Sequence, residues 1–347
     1  MKQKNINSQP RRAGFSLIEL MISMVIFMVV ITAVYGVMKI SLLQRNTTTT
    51  NIDAVKSARI ALNYIRRDAI NAGLGYHNVG GLVPDGFVRK ILDASADTDV
   101  DDRDLLTGII SGENVTSNSL NTSPNTKMDA LGFVTRDLTF NGGNPVSVTG
   151  TTTSGSDVVV QTASNTAQLF KLYDLYLIET DISQVVGVVT EVPSSSSFKF
   201  GFGTADPLGV NLSATATGSN KSLLAVSNVT GTLKKINMVL YSISPDGVLL
   251  RKTYANNTGE PRDAQIQVHE LINNVQNFQI NYLMDDGTVT SDPSLGNNGR
   301  LNQQKMNQVI QMEIIITVLP VSADSRTPTP VTIKEVISAR NLRYAVN

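Results

Sequence analysis

The chain has no cysteine and no tryptophan, and only two of its 347 residues are histidine, His77 and His269. Without cysteine there is no disulfide, thiolate zinc site, iron–sulfur cluster or cysteine nucleophile. Without tryptophan, and with aromatic residues at 5%, no stacking surface for sugars or bases stands out. Metal binding and general-base chemistry would fall mostly to carboxylates. Neither histidine has a partner near it in sequence, and each reads as structural or exposed. Net charge is absent too, since Lys+Arg and Asp+Glu both total 29. A dedicated nucleic-acid binder would show a basic excess, so that class is set aside. Gly73-Leu-Gly75 and Gly201-Phe-Gly203 lack the third glycine of a dinucleotide loop, and no phosphate-loop lysine, nucleophile elbow or HExxH occurs. These absences point away from an enzyme. The length and a hydrophobic content of 41% do allow a sizeable core, in one large domain or two.

The charge balance hides an asymmetry. Residues 1–14 carry Lys2, Lys4, Arg11 and Arg12 with no acid, leaving 25 basic against 29 acidic groups in the rest. Behind this basic leader, Phe15 to Met38 runs for 24 residues with a single charge, Glu19. A helix of that length extends about 36 Å, enough for a hydrocarbon layer of about 30 Å. More positive charge precedes the run than follows it at Lys39 and Arg45. The leader is therefore expected to stay in the cytoplasm while the body crosses. A secretory signal peptide has a shorter apolar run with its small-residue cleavage site after it; here the small pair Ala13-Gly14 comes before. Glu19 lies one turn inside the apolar stretch, where a carboxylate is costly unless paired or functional. A cut between Gly14 and Phe15 would place a new amine one helical turn away, so that the two charges neutralise each other within or between subunits. The alternative is a plain membrane anchor with Glu19 at the interface.

The string Arg11-Arg12-Ala13-Gly14-Phe15-Ser16-Leu17-Ile18-Glu19-Leu20 resembles the class III signal of type IV pilins and type II secretion pseudopilins. The resemblance implies a leader (1–14) removed by a prepilin peptidase at the Gly14–Phe15 bond, N-methylation of Phe15, and Glu19 as the assembly glutamate. One departure is Gly36, near which many pilins carry a proline. Glycine weakens a helix by about 1 kcal/mol against about 3 for proline.

Beyond the membrane or filament-core helix (15–38), residues 39–72 read as its amphipathic continuation. Val55, Ala58, Leu62, Ile65, Ala69 and Ala72 recur at steps of three and four and form one apolar stripe. Thr47–Thr50 is the weakest stretch, and Gly73 and Gly75 supply a stop. Phe15 to Ala72 is expected as one helix of 58 residues, about 87 Å long. Residues 73–347 change character. Strands are expected at Leu131–Thr135, Asp157–Thr162, Leu169–Glu179, Val185–Val192, Ser222–Val229, Leu233–Ser244, Val248–Tyr254, Val275–Met284, Val309–Leu319 and Val331–Ala339. Ser244-Pro245-Asp246-Gly247 suits a hairpin turn. Ser111–Lys127 and Asn141–Ser156 are dominated by Ser, Thr, Asn, Gly and Pro and read as exposed loops. They bracket an expected inserted β lobe at about 145–230. The fold class is thus α+β and pilin-like: a long N-terminal helix, anchor then spine, packed on a large antiparallel β-rich head.

Asp97, Asp99 and Asp101 have the one-three-five spacing of a calcium loop, but the sixth position is Asp102 and the twelfth Gly108. Those departures argue against an EF-hand, leaving a looser calcium site or a solvated acidic loop; no other cofactor is indicated. Ser57–Gly75 is similar to the post-anchor helix of PilW-type minor pilins, in which an Arg-Asp pair, here Arg67-Asp68, leads to a glycine-containing end. That resemblance implies a minor pilin of a type IV pilus, near the tip, priming assembly or supporting adhesion or twitching motility. Its partners would be prepilin peptidase, other minor pilins and the major pilin, the inner-membrane assembly platform and a tip adhesin, with no nucleic acid. It would sit first as a single pass in the bacterial inner membrane, head in the periplasm, and then in a surface pilus. The alternatives are a minor pseudopilin of a type II secretion system and a membrane-tethered surface-binding protein.

Overall fold

A computed structural model describes residues 14–77, 79–92, 104–120, 127–163, 169–181, 183–218, 221–225, 229–293, 303–321, 329–339 and 341. Its longest element is helix α1, Leu17–Asn71, 55 residues and about 82 Å. It begins two residues later than the apolar run. Ser16 keeps an extended backbone (φ −74°, ψ 143°) and caps the helix by accepting from Glu19 N at 3.4 Å. The threonine run does not break it. The Thr47, Thr48 and Thr49 hydroxyls donate to the carbonyls of Leu43, Gln44 and Arg45 at 2.9–3.0 Å, so each β-branched side chain is satisfied inside the helix. The end is set by Gly73 and Gly75, both in the left-handed region (φ 73° and 63°). Gly73 N donates to Val134 O at 2.8 Å and Arg136 N to Leu74 O at 3.0 Å, stitching the exit of the helix to the head.

The head is built from strands. They are β1 (Gly81–Val83), β2 (Asp104–Leu106), β3 (Ile109–Thr116), β4 (Met128–Arg136), β5 (Val146–Ser154), β6 (Asp157–Thr162), β7 (Leu175–Thr180), β8 (Gln184–Val188) and β9 (Glu191–Ser194). The remainder are β10 (Ser197–Phe200), β11 (Gly231–Ile243), β12 (Leu249–Tyr254), β13 (Ile266–Ile272), β14 (Val275–Met284), β15 (Val289–Thr290), β16 (Val309–Val318) and β17 (Val331–Ser338). A short helix α2 (Phe87–Ile91) lies between β1 and β2. Pairing is antiparallel throughout these strands except between β1 and β8.

Strand β11 organises the head. Its first residues pair with β7 and β5, within a sheet ordered β2-β1-β8-β7-β11-β5-β6-β10-β9. From Ile236 onward it pairs instead with β4 and β12, within a sheet ordered β3-β4-β11-β12-β13. At the crossover Lys235 pairs at 2.8 Å with the fully buried Asp174, which also accepts from the Tyr176 hydroxyl at 3.0 Å. A separate sheet, β15-β14-β16-β17, stands beside them. Helix α1 packs on β17, β16, β13 and β4 and so straddles the second and third sheets. Its buried stripe is Ala54, Ala58, Ala61, Leu62, Ile65, Ala69 and Ala72, with Val55 only half-buried. Alanine on this face lets the helix axis approach Phe133, Tyr241, Phe278, Ile314 and Ile337 closely. A second core gathers around Phe87, Leu177, Met238 and Leu240, and a third around Phe170, Tyr176, Phe198 and Phe200.

Several expectations are corrected. Ser111–Thr116 belongs to β3 and Val146–Ser154 is β5, although both lie in stretches read as loops. Threonine and valine are good strand residues, and β5 finds a partner in β6 that buries Val146, Val148 and Thr151. Within the expected strand Ser222–Val229, Leu223–Ala225 forms a 3-10 turn, and residues 226–228 lie outside the described residues. The strand expected from Leu169 starts only at Leu175, after Tyr173 with φ 65°. Val185–Val192 divides into β8 and β9.

Candidate assembly segment

Gly14 and Phe15 precede the helix, and with Ser16 extended the Gly14–Phe15 peptide lies outside any regular element. A Cβ added at Gly14 would meet nothing within 4 Å, and Phe15 is 78% exposed. Glu19 is exposed in the first helical turn, where the N-terminal end of the helix dipole favours a carboxylate. Ser16 and Glu19 also have the spacing of a capping box, a signal local enough to be read from the sequence. Further along, Ser23 Oγ donates to Glu19 O and Thr32 Oγ1 to Met28 O, both at 2.8 Å. Hydroxyls in the apolar stretch are thus satisfied without a partner helix.

No residue of α1 before Ala54 is buried. The apolar side chains from Leu17 to Leu42 are almost all more than half exposed. An 18-residue window of the helix has a mean hydropathy of 2.7, so α1 is long and apolar enough to cross a membrane. Gly36 sits within this bare half, the helix running through it unbroken with nothing within 4 Å of its notional Cβ.

The other end of α1 is locked by Asp68. Its Oδ2 accepts from the Tyr241 hydroxyl at 2.7 Å and from Arg251 Nε and Nη2 at 3.0 Å. Burial first, then the neighbouring Asp68 carboxylate, pushes the Tyr241 phenol above its ordinary range, so it stays a donor. Phe133 packs edge-on against the Tyr241 ring, centroids 6.1 Å apart. Arg67, by contrast, lies outside over the Tyr64 ring at 5.3 Å. Of the Arg67-Asp68 pair, therefore, only Asp68 engages the head. Neither Tyr241 nor Arg251 was singled out in the sequence, because each lies more than 170 residues from Asp68.

Beside this lock is a cleft of about 390 Å³, walled by Asp68 and Asn71 and floored by the second sheet, with Thr135, Asn237, Thr253, Gln267 and His269 turned into it. His269 is exposed there. His77 is elsewhere, its Nδ1 accepting from Val79 N at 3.2 Å in a turn. Asp129 joins the second and third sheets: its two oxygens accept from Asn114 N at 2.9 Å and Ile280 N at 2.8 Å. Burial pushes its pKa up to about 6 against the pull of those two backbone donors, and nearby Glu113 and Asp292 add to the rise. Among the described residues no three His, Asp or Glu side chains are grouped to hold a metal. The calcium candidates Asp97, Asp99 and Asp101 lie outside the described residues.

Comparison with known proteins bears on the N-terminal segment alone. Residues 9–35 match the family model of the prokaryotic N-terminal methylation motif. The match stops at Tyr35 and is silent on the head. It marks a type IV pilin-like or pseudopilin-like protein carrying a prepilin-type signal. No curated protein matches the chain.

Proposed function

We propose that the chain is a prepilin whose mature form enters a type IV pilus as a minor subunit. One observation carries the reading: an exposed Gly14–Phe15 junction outside any regular element leads through the extended Ser16 into a helix whose first half is apolar and has no buried residue. Prepilin peptidase would cut after Gly14, where the absence of a side chain leaves the bond open to an enzyme groove, and the new amine of Phe15 would be methylated. In the membrane, Leu17 to Leu42 is solvated by lipid. On assembly it exchanges lipid for neighbouring helices, so apolar burial is largely retained. Glu19 then meets an amino terminus, its own or a neighbour's, and a charge pair held away from water sets the register between subunits. The head rides on the clad half of α1, with Asp68, Tyr241 and Arg251 resisting its detachment.

The test is to shear surface filaments from the native cells and search them by mass spectrometry for a peptide beginning at methylated Phe15. Its presence at a small fraction of the major pilin supports processing, incorporation and minor status together. Processed protein confined to the inner membrane favours the pseudopilin reading, which shares the same anchor. Protein still carrying Met1–Gly14 sinks both. In the same assay Glu19→Ala is expected to be cleaved normally but to fall at least about tenfold in filaments, a loss of about 1.4 kcal/mol or more in the assembly equilibrium; undiminished incorporation would remove Glu19 from the mechanism.

A further inference from the structure

The edges of the three sheets are not alike. A free strand edge offers unpaired N–H and C=O groups, and proteins blunt such edges by shortness, proline, bulges, charge or cover. Five of the six terminal strands here are very short or are interrupted along their middle by one of these devices. Strand β2 has three residues and β15 two. Strand β9 carries Pro193. Strand β3 is broken by a register shift between Gly112 and Thr116, with Asn114 at φ 52°. Strand β17 has Lys334 and Glu335 at its middle, paired with Glu313 and Arg66. Even the stretch of β14 beyond β15 is closed, because Asp129 accepts from Ile280 N.

Strand β13 carries such devices only at its far end, a register slip at Leu271 and the charge of Glu270. It has seven residues, IQVHELI, paired on one side with β12 and on the other with no backbone group among the described residues. From Ile266 to His269 it contains no proline, lysine, arginine or carboxylate. Its one irregularity, Leu271 slipped between the pairs Leu249–Ile272 and Leu250–Glu270, falls at the far end. Ile266 and Val268, on one face, are 43% and 52% exposed. Gln267 and His269, on the other, enter the cleft, where with Thr135 they make no side-chain hydrogen bond among the described residues. Glu270 is the single charge on the strand, and it too is exposed.

We propose that the outer edge of β13 is a docking edge for an extended segment of a partner polypeptide. The occupant is specified by what it meets. Backbone groups pair along Ile266–Glu270, β-branched apolar side chains lie beside Ile266 and Val268, small polar ones lie over Gln267 and His269, and a cation stands opposite Glu270. The surface belongs to the head and does not depend on the filament reading.

The probe is the blocked pentapeptide Lys-Thr-Val-Thr-Val, which run antiparallel satisfies that pattern from Glu270 back to Ile266. Its control is the isomer Lys-Val-Val-Thr-Thr. Amide hydrogen exchange is followed on the full chain in detergent micelles, so that processing and filament formation play no part. With the first peptide at about 1 mM, every second amide of Ile266–Glu270, the outward set, is expected to exchange at least about tenfold more slowly. The control peptide should protect far less. Val268→Lys, at an exposed position, should abolish the effect while leaving the inward amides bonded to β12 as slow as before. Equal protection by the two peptides, or none, overturns the proposal. So does an outward set already as slow as the inward set in the chain alone, since the edge would then be covered.

Discussion

The two halves of α1 share one helix and one period, yet they solve opposite problems. From Ala54 to Asn71 the helix is amphipathic: an alanine-rich stripe with Leu62 and Ile65 is buried on two sheets while Arg59, Asn63 and Arg66 face out. From Leu17 to Leu42 it is apolar nearly all round, with Glu19 and Lys39 its charges, and no residue of it is buried. A helix apolar all round needs a surround that is itself apolar, so the bare half is incomplete as an isolated chain and the clad half is not. The clad half therefore contributes to the stability of the head, while the bare half is left for an apolar surround from outside it.

That division can be broken most forcefully at Ile65, which is fully buried. Ile65→Ala should cost about 2–5 kcal/mol through lost burial and the cavity left behind, read by urea unfolding of the full chain in detergent. Ile26→Ala, in the bare half at 58% exposed, should leave head unfolding unchanged within about 0.5 kcal/mol. Comparable losses at both positions would mean the halves are not energetically separate.

The seam beneath the clad half should respond to pH through Asp129. Its pKa is raised from 3.8 to about 6 by burial, so the folded state holds the proton more tightly than the unfolded chain. Its contribution to stability is therefore full below about pH 4 and is lost as pH rises through about 6, on the order of 3 kcal/mol in all. Asp206, raised in the same direction by burial, adds to the same trend. Unfolding at pH 4 and pH 7 should show the fall, and Asp129→Asn should shrink it. A variant with the wild-type slope would place the titration elsewhere.

A smaller effect is expected at Asp68. Replacing it with alanine strands the Tyr241 hydroxyl and unpairs the Arg251 guanidinium, at about 1.5–3 kcal/mol. Arg67→Ala, one residue away on the exposed side, should cost no more than about 0.5 kcal/mol. Slow amides around Ile65–Asn71 should quicken in the first variant and not in the second. This contrast also marks where sequence reasoning ran out. Helix α1 was legible almost to its ends because apolar periodicity and the Gly73 and Gly75 stop are local signals; the two-residue error at its start came from Ser16, whose cap keeps the chain extended. Strands β6 and β14 were legible for the same local reason. Strands β3 and β5 were not, since Ser, Thr, Asn and Gly runs become strands only when a partner pairs with them. The methylation segment was legible because basic leader, Gly14-Phe15 and Glu19 lie within a few residues of one another. The Asp68, Tyr241 and Arg251 lock and the Asp129 seam were invisible, being made by tertiary contact between residues far apart in the chain.

The smallest effect lies in the bare half and tests what that half is for. Gly36 is interior to the helix with open space around its notional Cβ, so Gly36→Ala meets no clash. It should stabilise the helix locally by about 0.5–1 kcal/mol by reducing the freedom of the unfolded backbone. Circular dichroism of the full chain in detergent should show equal or slightly greater helicity, with head unfolding unmoved. The informative readout is then incorporation. If the bare half must only pack, the stiffened helix should enter filaments as well as the wild type. If incorporation falls while helicity rises, local loosening at Gly36 is part of assembly, and the bare half is selected for its capacity to yield as well as for its apolar surface.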